Sequence, residues 1–91
     1  MDLVVVGANR GQGNNNKKLF TSFLLATPHN GKFIPISHVG SGFTDEMLEI
    51  LNNSIYKMNI ITEYPDPSIE LSTIKLDAYF KPELVFEVHA Q

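Results

Sequence analysis

The most informative run of the sequence is Asp2-Leu-Val-Val-Val-Gly-Ala-Asn-Arg-Gly-Gln-Gly13. It begins with an unbroken apolar run of mostly β-branched residues, Leu3 to Val6, which predicts a strand buried on both faces or lining a small barrel. We place this first strand at Asp2 to Ala8. The glycines that follow, together with Asn14 to Asn16, are poor strand formers that tolerate positive φ, so they predict a loop.

Two further strands follow the loop and form a predicted hairpin. Phe20 to Thr27 and Phe33 to Val39 are strand-like segments separated by Pro28-His29-Asn30-Gly31. Asn-Gly between two such segments is a strong hairpin signal, because both residues accept the positive φ of a type I′ turn. Pro35 has no N–H to donate to a ladder, so this part of the third strand is expected at a sheet edge or with its nitrogen facing solvent.

A helix of about three turns is predicted next. Thr44 offers an N-cap, and Asp45 and Glu46 complement the positive end of the helix. The periodicity predicts an apolar face, with the polar side chains largely elsewhere. The apolar face comprises Met47, Leu48, Leu51, Ile55 and Met58, and the polar set comprises Asp45, Glu46, Glu49, Asn52 and Asn53.

The last part of the chain predicts a final strand and a shorter one before it. Leu84 to His89 is the final predicted strand, and Ile69 to Leu76 is expected to hold a short strand within an irregular region that contains Pro65 and Pro67. The main order is therefore strand, strand, strand, helix, strand. This order predicts a mostly β oligonucleotide-binding (OB) fold, a partial Greek-key barrel without its final strand.

Size and composition restrict the class of protein. The chain has 91 residues, which predicts a single domain spanning 1–91, and 43% hydrophobic with 19% charged residues indicates a folded chain. It has no cysteine, which excludes disulfides and thiolate metal sites. No apolar run approaches the roughly 20 residues of a membrane span, so we expect an intracellular protein with no membrane partner.

The net charge of −3 conceals an uneven distribution. Residues 1–43 carry four cationic side chains against Asp2, whereas residues 44–91 carry nine acidic side chains against three lysines. A polyanion is expected to prefer the first half. The cations there are Arg10, Lys17, Lys18 and Lys32.

Several short motifs resemble sites but have better structural explanations. The glycines at 7, 11 and 13 are not followed by a helix, as a dinucleotide-binding turn requires. The glycines at 40 and 42 precede a helix whose first turn carries two acids that would repel a phosphate. Lys75-Leu76-Asp77 matches a nucleotidyltransferase motif only by coincidence, and His29, His38 and His89 lack metal spacing. We therefore predict no catalytic and no metal-binding residues.

The loop after the first strand is the predicted binding element. Cations and amide side chains on a loop can reach phosphate and sugar oxygens, and glycines let the backbone approach a groove closely. From the residues alone, a solvated polar loop is an equally good interpretation. The candidate nucleic-acid-binding residues, which the resemblance described next assigns to DNA, are Arg10, Gly11, Gln12, Gly13, Asn14, Lys17 and Lys18.

Five ordered segments resemble the OB domain at the C-terminal side of ATP-dependent DNA ligases. The segments span nearly the whole chain with compatible spacing. They are Leu3-Val-Val-Val-Gly-Ala8, Gly11-Gln-Gly13, Phe23-Leu-Leu-Ala26, Val39-Gly-Ser-Gly-Phe-Thr-Asp-Glu46 and Pro82-Glu-Leu-Val-Phe-Glu-Val88.

The resemblance implies a role in sealing nicked duplex DNA during replication, repair or recombination, in the nucleus if the source is eukaryotic. In that family the complete enzyme uses ATP and Mg²⁺, a lysine of the adenylation domain takes AMP, and the OB domain helps to grip DNA across the nick. The partners implied are nicked duplex DNA and an adenylation domain of the same or a split ligase. No cofactor is expected in this chain itself.

Two departures from the family limit what the resemblance implies. The family usually has lysine or arginine directly after the second glycine, where this chain has Asn14 and Asn15, with its basic pair at Lys17 and Lys18. The chain also stops at Gln91, before an arginine-rich strand, and lacks an adenylation domain, so alone it is expected to be inactive. The alternative is a stand-alone OB module that binds nucleic acid or protein without ligase activity.

Overall fold

The computed structural model describes residues 2–11, 19–70 and 75–87. The strands of this part of the chain form one antiparallel sheet in the order β3-β2-β1-β5-β4, which confirms the mostly β prediction. The elements in chain order are β1 (Asp2–Arg10), β2 (Phe20–His29), β3 (Lys32–Val39), α1 (Asp45–Met58), β4 (Ile61–Thr62) and β5 (Ala78–Glu87).

Strand β1 lies in the middle of the sheet and is buried on both faces, as its apolar run predicts. Leu3 and Val5 pack in one core cluster with Ile55 of α1, whereas Val4 and Val6 pack in a second cluster on the opposite face. Alternate side chains of a strand point to opposite faces, so a continuous apolar run is required where both faces are covered.

The hairpin between β2 and β3 confirms the Asn-Gly signal. Asn30 and Gly31 have φ values of 49° and 78°, and His29 pairs with Lys32 across the turn. Pro35 lies in β3, which is an edge strand of the sheet as predicted. Its missing N–H is tolerated there because an edge strand pairs on one side.

Helix α1 begins where the sequence predicts, but a different set of side chains faces the core. Thr44 Oγ1 accepts a hydrogen bond of 3.1 Å from Met47 N, which confirms the cap. Met47 and Met58 are exposed, whereas Asn52 is only 5% exposed. The prediction that Asn52 lies away from the core was wrong, because its amide satisfies backbone groups of β2. In the described residues, no helix is long and apolar enough to cross a membrane.

Two strands follow the helix, not the single strand of the main predicted order. Strand β4 is two residues long and was missed, and β5 begins at Ala78 instead of Leu84. The early start of β5 was not predicted because proline is unfavourable within a strand and Pro82 lies in this one. In the structure, Pro82 lies where the pairing with β1 is interrupted, between Tyr79 and Leu84, so its missing N–H breaks no hydrogen bond to β1.

The segment after β4 connects the two edges of the sheet. Thr62 pairs with β5 at one edge, and seven residues later Ile69 forms an isolated parallel bridge to Phe33 of β3 at the other. Phe33 N donates to Ser68 O at 2.8 Å and Phe33 O accepts from Glu70 N at 2.9 Å. This connection is typical of a partly open barrel and supports the OB assignment. Of the short strand predicted within Ile69 to Leu76, the described residues form only this bridge, and residues 71–74 lie outside the described part of the chain.

A carboxylate stabilises the turn that leads into this bridge. Asp66 Oδ1 accepts hydrogen bonds from Ser68 Oγ at 2.6 Å and from Ser68 N at 2.9 Å. These two bonds favour the ionised form and lower the pKa of Asp66 below its ordinary value, with a smaller contribution from Lys81. The turn orients Ile69 toward the second core cluster, where it is buried.

Candidate nucleic-acid interface

The predicted binding residues begin at the end of β1. Arg10 is the last residue of β1 and is exposed, and Gly11 follows it directly. The stretch after Gly11 lies outside the described residues, so the assignments made on it stay predictions. They are Gln12, Gly13, Asn14, Lys17 and Lys18. The described surroundings are the last residues of β1, the first residues of β2 and the side chains that hold them.

The end of β1 is held by a reciprocal pair of hydrogen bonds with Asp77. Arg10 N donates to Asp77 Oδ2 at 2.8 Å, and Asp77 N donates to Asn9 Oδ1 at 2.8 Å. The other side of the Asn9 amide lies 3.4 Å from Nε2 of His38 in β3. Side chains from three separate segments therefore meet at the end of β1.

The start of β2 is held by Asn52 of α1. Its Oδ1 accepts from Phe20 N at 2.7 Å, and its Nδ2 donates to Phe20 O at 2.9 Å and to Leu48 O at 2.8 Å. A side-chain amide can satisfy a buried N–H and a buried C=O together, which removes the desolvation cost of both groups. Asn52 thereby ties the helix to the first residue of β2.

Arg10 also contacts the core through Phe20. The Arg10 guanidinium carbon lies 4.6 Å from the centre of the Phe20 ring, in cation–π geometry. The same ring packs edge-on against Phe80 at 5.5 Å and in a stacked arrangement with Tyr56 at 5.9 Å. Arg10 is thus a surface cation whose position is restrained by the buried aromatic cluster below it.

Gly11 has a packing role that the sequence did not indicate. A Cβ at this position would lie 2.9 Å from Thr21 Oγ1 and 3.3 Å from Thr21 Cγ2. The glycine therefore lets the two chain segments that flank the loop approach each other closely. This is a separate reason for glycine here from the predicted approach to a nucleic-acid groove.

The helix side of the loop has the opposite charge. An open groove of about 510 Å³ lies between α1 and Leu19, next to the start of β2, and Asp45 and Glu49 line it. These carboxylates disfavour a phosphate in the groove. At the N-terminus of α1, Thr44 likewise accepts a hydrogen bond from Met47 N, and Asp45 and Glu46 lie in the first turn.

The other short motifs take structural positions. The next described element after Gly7 and Gly11 is the antiparallel strand β2, whereas a dinucleotide-binding turn leads into a helix and a parallel strand. Leu76 is buried and Asp77 bonds to β1, so Lys75-Leu76-Asp77 is part of the fold. Within residues 2–11, 19–70 and 75–87, no three His, Asp or Glu side chains are placed to hold a metal ion.

Sequence reasoning missed the two side chains that hold the flanks of the loop. Asn52 is 32 residues from Phe20, and Asp77 is 67 residues from Arg10. Both carry polar groups that ordinarily lie at the surface, so no local pattern identified them. A polar residue at a core position of the helical repeat was the available signal for Asn52.

Comparisons with known proteins agree with the fold. The family model described as "ATP dependent DNA ligase C terminal region" matches residues 16–91. The DNA ligase of Pyrobaculum arsenaticum is 38% identical over 90 residues, and that of Thermococcus onnurineus is 52% identical over 50 residues. These alignments cover 97% and 53% of this chain, and 15% and 9% of the respective ligases. The chain thus spans a small part of the length of these relatives.

A solved structure shows the same fold. The ligase domain of M. tuberculosis LigD superposes with a TM-score of 0.73 and 23% identity, covering 92% of this chain and 27% of that domain. The family match extends over most of the chain, from residue 16 to residue 91. The chain therefore belongs to the family of ATP-dependent DNA ligase C-terminal regions.

Proposed function

We propose that this chain is the OB domain of an ATP-dependent DNA ligase and clamps nicked duplex DNA through the loop that follows β1. The residues proposed to contact the sugar–phosphate backbone run from Arg10 to Lys18. The observation that carries the proposal is the family match together with a cationic loop whose flanking residues are held firmly to the sheet.

Loop ends that are already restrained favour contact with the sugar–phosphate backbone of DNA. A loop that binds phosphates loses conformational entropy on binding, and this loss is smaller when its ends are already fixed. Asp77 fixes one end and Asn52 the other, and Arg10 is placed at the surface by the Phe20 ring. Contacts of this kind position a protein on duplex DNA without reading its sequence.

The aromatic side chains support a duplex-binding role over the single-strand alternative. OB modules that bind single strands stack bases on exposed aromatic rings. Here Phe20 and Phe23 are 0% and 1% exposed, and Phe86 packs against the first core cluster. The two most exposed aromatics, Tyr56 and Tyr64, lie on α1 and after β4. The strands at the loop therefore lack a stacking platform among their described residues.

The chemistry of ligation is proposed to lie outside this chain. An adenylation domain, in the same polypeptide or a separate one, would supply the lysine that takes AMP, and ATP and Mg²⁺ would bind to the complete ligase. The contribution of this domain would be to hold the nick. Replication, repair and recombination are the processes that such a role would serve.

The test replaces the two lysines of the loop. We expect Lys17→Ala with Lys18→Ala to weaken binding of the chain to nicked duplex DNA. The slope of log K against log salt should flatten by about 0.9 for each phosphate that the variant no longer neutralises. Fluorescence anisotropy of a labelled nicked duplex between low and physiological salt measures both quantities.

The matched control removes two lysines elsewhere. Lys32 lies at the β2–β3 turn. Because a strand rises about 3.3 Å per residue, the length of β2 places this turn about 30 Å from the start of that strand. Lys57 lies in the last turn of α1. Lys32→Ala with Lys57→Ala changes the net charge equally and should leave the slope nearly unchanged. Equal slopes for the loop variant and the unmodified chain would exclude the loop as the DNA contact.

A further inference from the structure

We infer that Asp77 is a positioning residue for the DNA contact: its carboxylate fixes the direction in which the chain leaves β1. The inference rests on the proposed function. It assigns a role to a negatively charged side chain at the base of a loop proposed to bind a polyanion. On charge alone, a carboxylate is unfavourable at that place.

The pairing of β1 explains why Asp77 is needed. The ladder between β1 and β5 ends at Ala8 paired with Ala78, whereas β1 continues through Asn9 to Arg10. On the β5 side, the last two residues of β1 therefore lie beyond the ladder, while on the other side Asn9 and Arg10 still pair with Ser22 and Phe20 of β2. The Asp77 carboxylate accepts from Arg10 N, and the Asn9 side chain accepts from Asp77 N, each at 2.8 Å. These two hydrogen bonds therefore hold this side of β1 as far as Arg10, the first residue of the proposed DNA contact.

Because the Asp77 side chain is exposed, it does not contribute to core packing. Asp77 is exposed, unlike its neighbours Leu76 and Ala78, which are buried in the two core clusters. Truncating its side chain removes no core packing. The second flank of the loop keeps its own restraint, because Asn52 still bonds to Phe20. The expected consequence is a misdirected loop on an intact fold.

The charge of Asp77 and its hydrogen bond to Arg10 N predict opposite effects on DNA affinity when the carboxylate is removed. Removing a negative charge beside bound DNA should strengthen binding, whereas releasing Arg10 N should weaken it, because the loop then meets fewer phosphates. Asp77→Asn and Asp77→Ala remove the same charge, but the asparagine keeps an oxygen that can accept from Arg10 N. The difference between the two variants therefore isolates the hydrogen bond.

The experiment measures binding of the 91-residue chain to nicked duplex DNA over a range of salt. We expect Asp77→Ala to raise Kd and to flatten the salt slope by about 0.9 for each phosphate that the loop no longer reaches, although no cation is removed. Asp77→Asn should keep the same slope of log K against log salt as the unmodified chain, and it should bind DNA equally or more tightly. Circular dichroism and thermal melting verify that both variants are folded at the assay temperature.

Two outcomes separate this inference from the proposed function. If Asp77→Ala has the slope and affinity of Asp77→Asn, while Lys17→Ala with Lys18→Ala still weakens binding, the positioning role is wrong and the loop contact stands. If the lysine variant leaves binding unchanged, the proposed function itself fails. A flatter slope in Asp77→Ala with rescue in Asp77→Asn supports both.

Discussion

Asn52 is the buried polar side chain around which the helix and the sheet are joined. Both atoms of its amide are used, by Phe20 N, Phe20 O and Leu48 O, within hydrogen-bond distances of 2.7 to 2.9 Å. Among the described residues, no buried side-chain nitrogen or oxygen lacks a hydrogen-bond partner. A polar residue on the core face of a helix is stable when it is fully bonded in this way.

Truncation of Asn52 should lower the stability of the fold far more than truncation of an exposed polar side chain. Asn52→Ala leaves Phe20 N–H and C=O without their partner, and each unsatisfied buried group costs about 1–3 kcal/mol. We expect the free energy of unfolding to fall by about 2–3 kcal/mol in urea denaturation. Asn53→Ala, at the exposed neighbouring position, should change it by no more than about 0.5 kcal/mol. Similar decreases in both variants would contradict the assigned role of Asn52.

The strands show which elements local sequence determines. Strand β1 and the Asn30-Gly31 hairpin were predicted because their signals, an apolar run and a turn that needs positive φ, are contained within a few residues. Strand β4 and the first half of β5 were not, because their pairing is set by non-local contacts. Ile61 pairs with Phe80, and Lys81 N donates to Ile60 O at 2.8 Å, in both cases between residues about twenty positions apart in the chain.

Gly7 marks the irregularity that these strands share. The register between β1 and both of its neighbours shifts between Val5 and Gly7. A Cβ on Gly7 would overlap the side chain of Leu76 and lie 2.9 Å from Ala78 O. The absence of a side chain therefore lets the segment before β5 cross close to β1, with Leu76 buried in the second core cluster.

Gly7→Ala should consequently destabilise the sheet by about 1–3 kcal/mol, the usual cost of overpacking a core. Chemical denaturation measures the decrease in the free energy of unfolding. Because Leu76 is the nearest side chain, Leu76→Ala in the same chain should relieve part of the overlap, so that the double variant is destabilised by less than the sum of the two single variants. Additive effects would show that the overlap with Leu76 is not the cause.

At the scale of the whole molecule, the exposed Arg10 and the acids at the start of α1 lie in different elements. The proposed contact lies at the end of β1, whereas Asp45, Glu46 and Glu49 lie in the first two turns of α1. The sequence predicted this division because the cations and acids are separated along the chain. It did not predict that Asp77 would lie at the base of the loop, because a separation of 67 residues conceals the contact.

The proposed function requires that duplex DNA contacts the predicted loop after β1 and not the acidic start of α1. Titration of the isotope-labelled chain with nicked duplex, followed by amide ¹H–¹⁵N correlation spectra, tests it most directly. The account predicts that chemical-shift changes concentrate at Arg10, Gly11 and Leu19, in the loop between them and at Asp77. Changes concentrated on Glu46 to Asn53 of α1, or at the Asn30-Gly31 turn, with the loop signals unmoved, would contradict it.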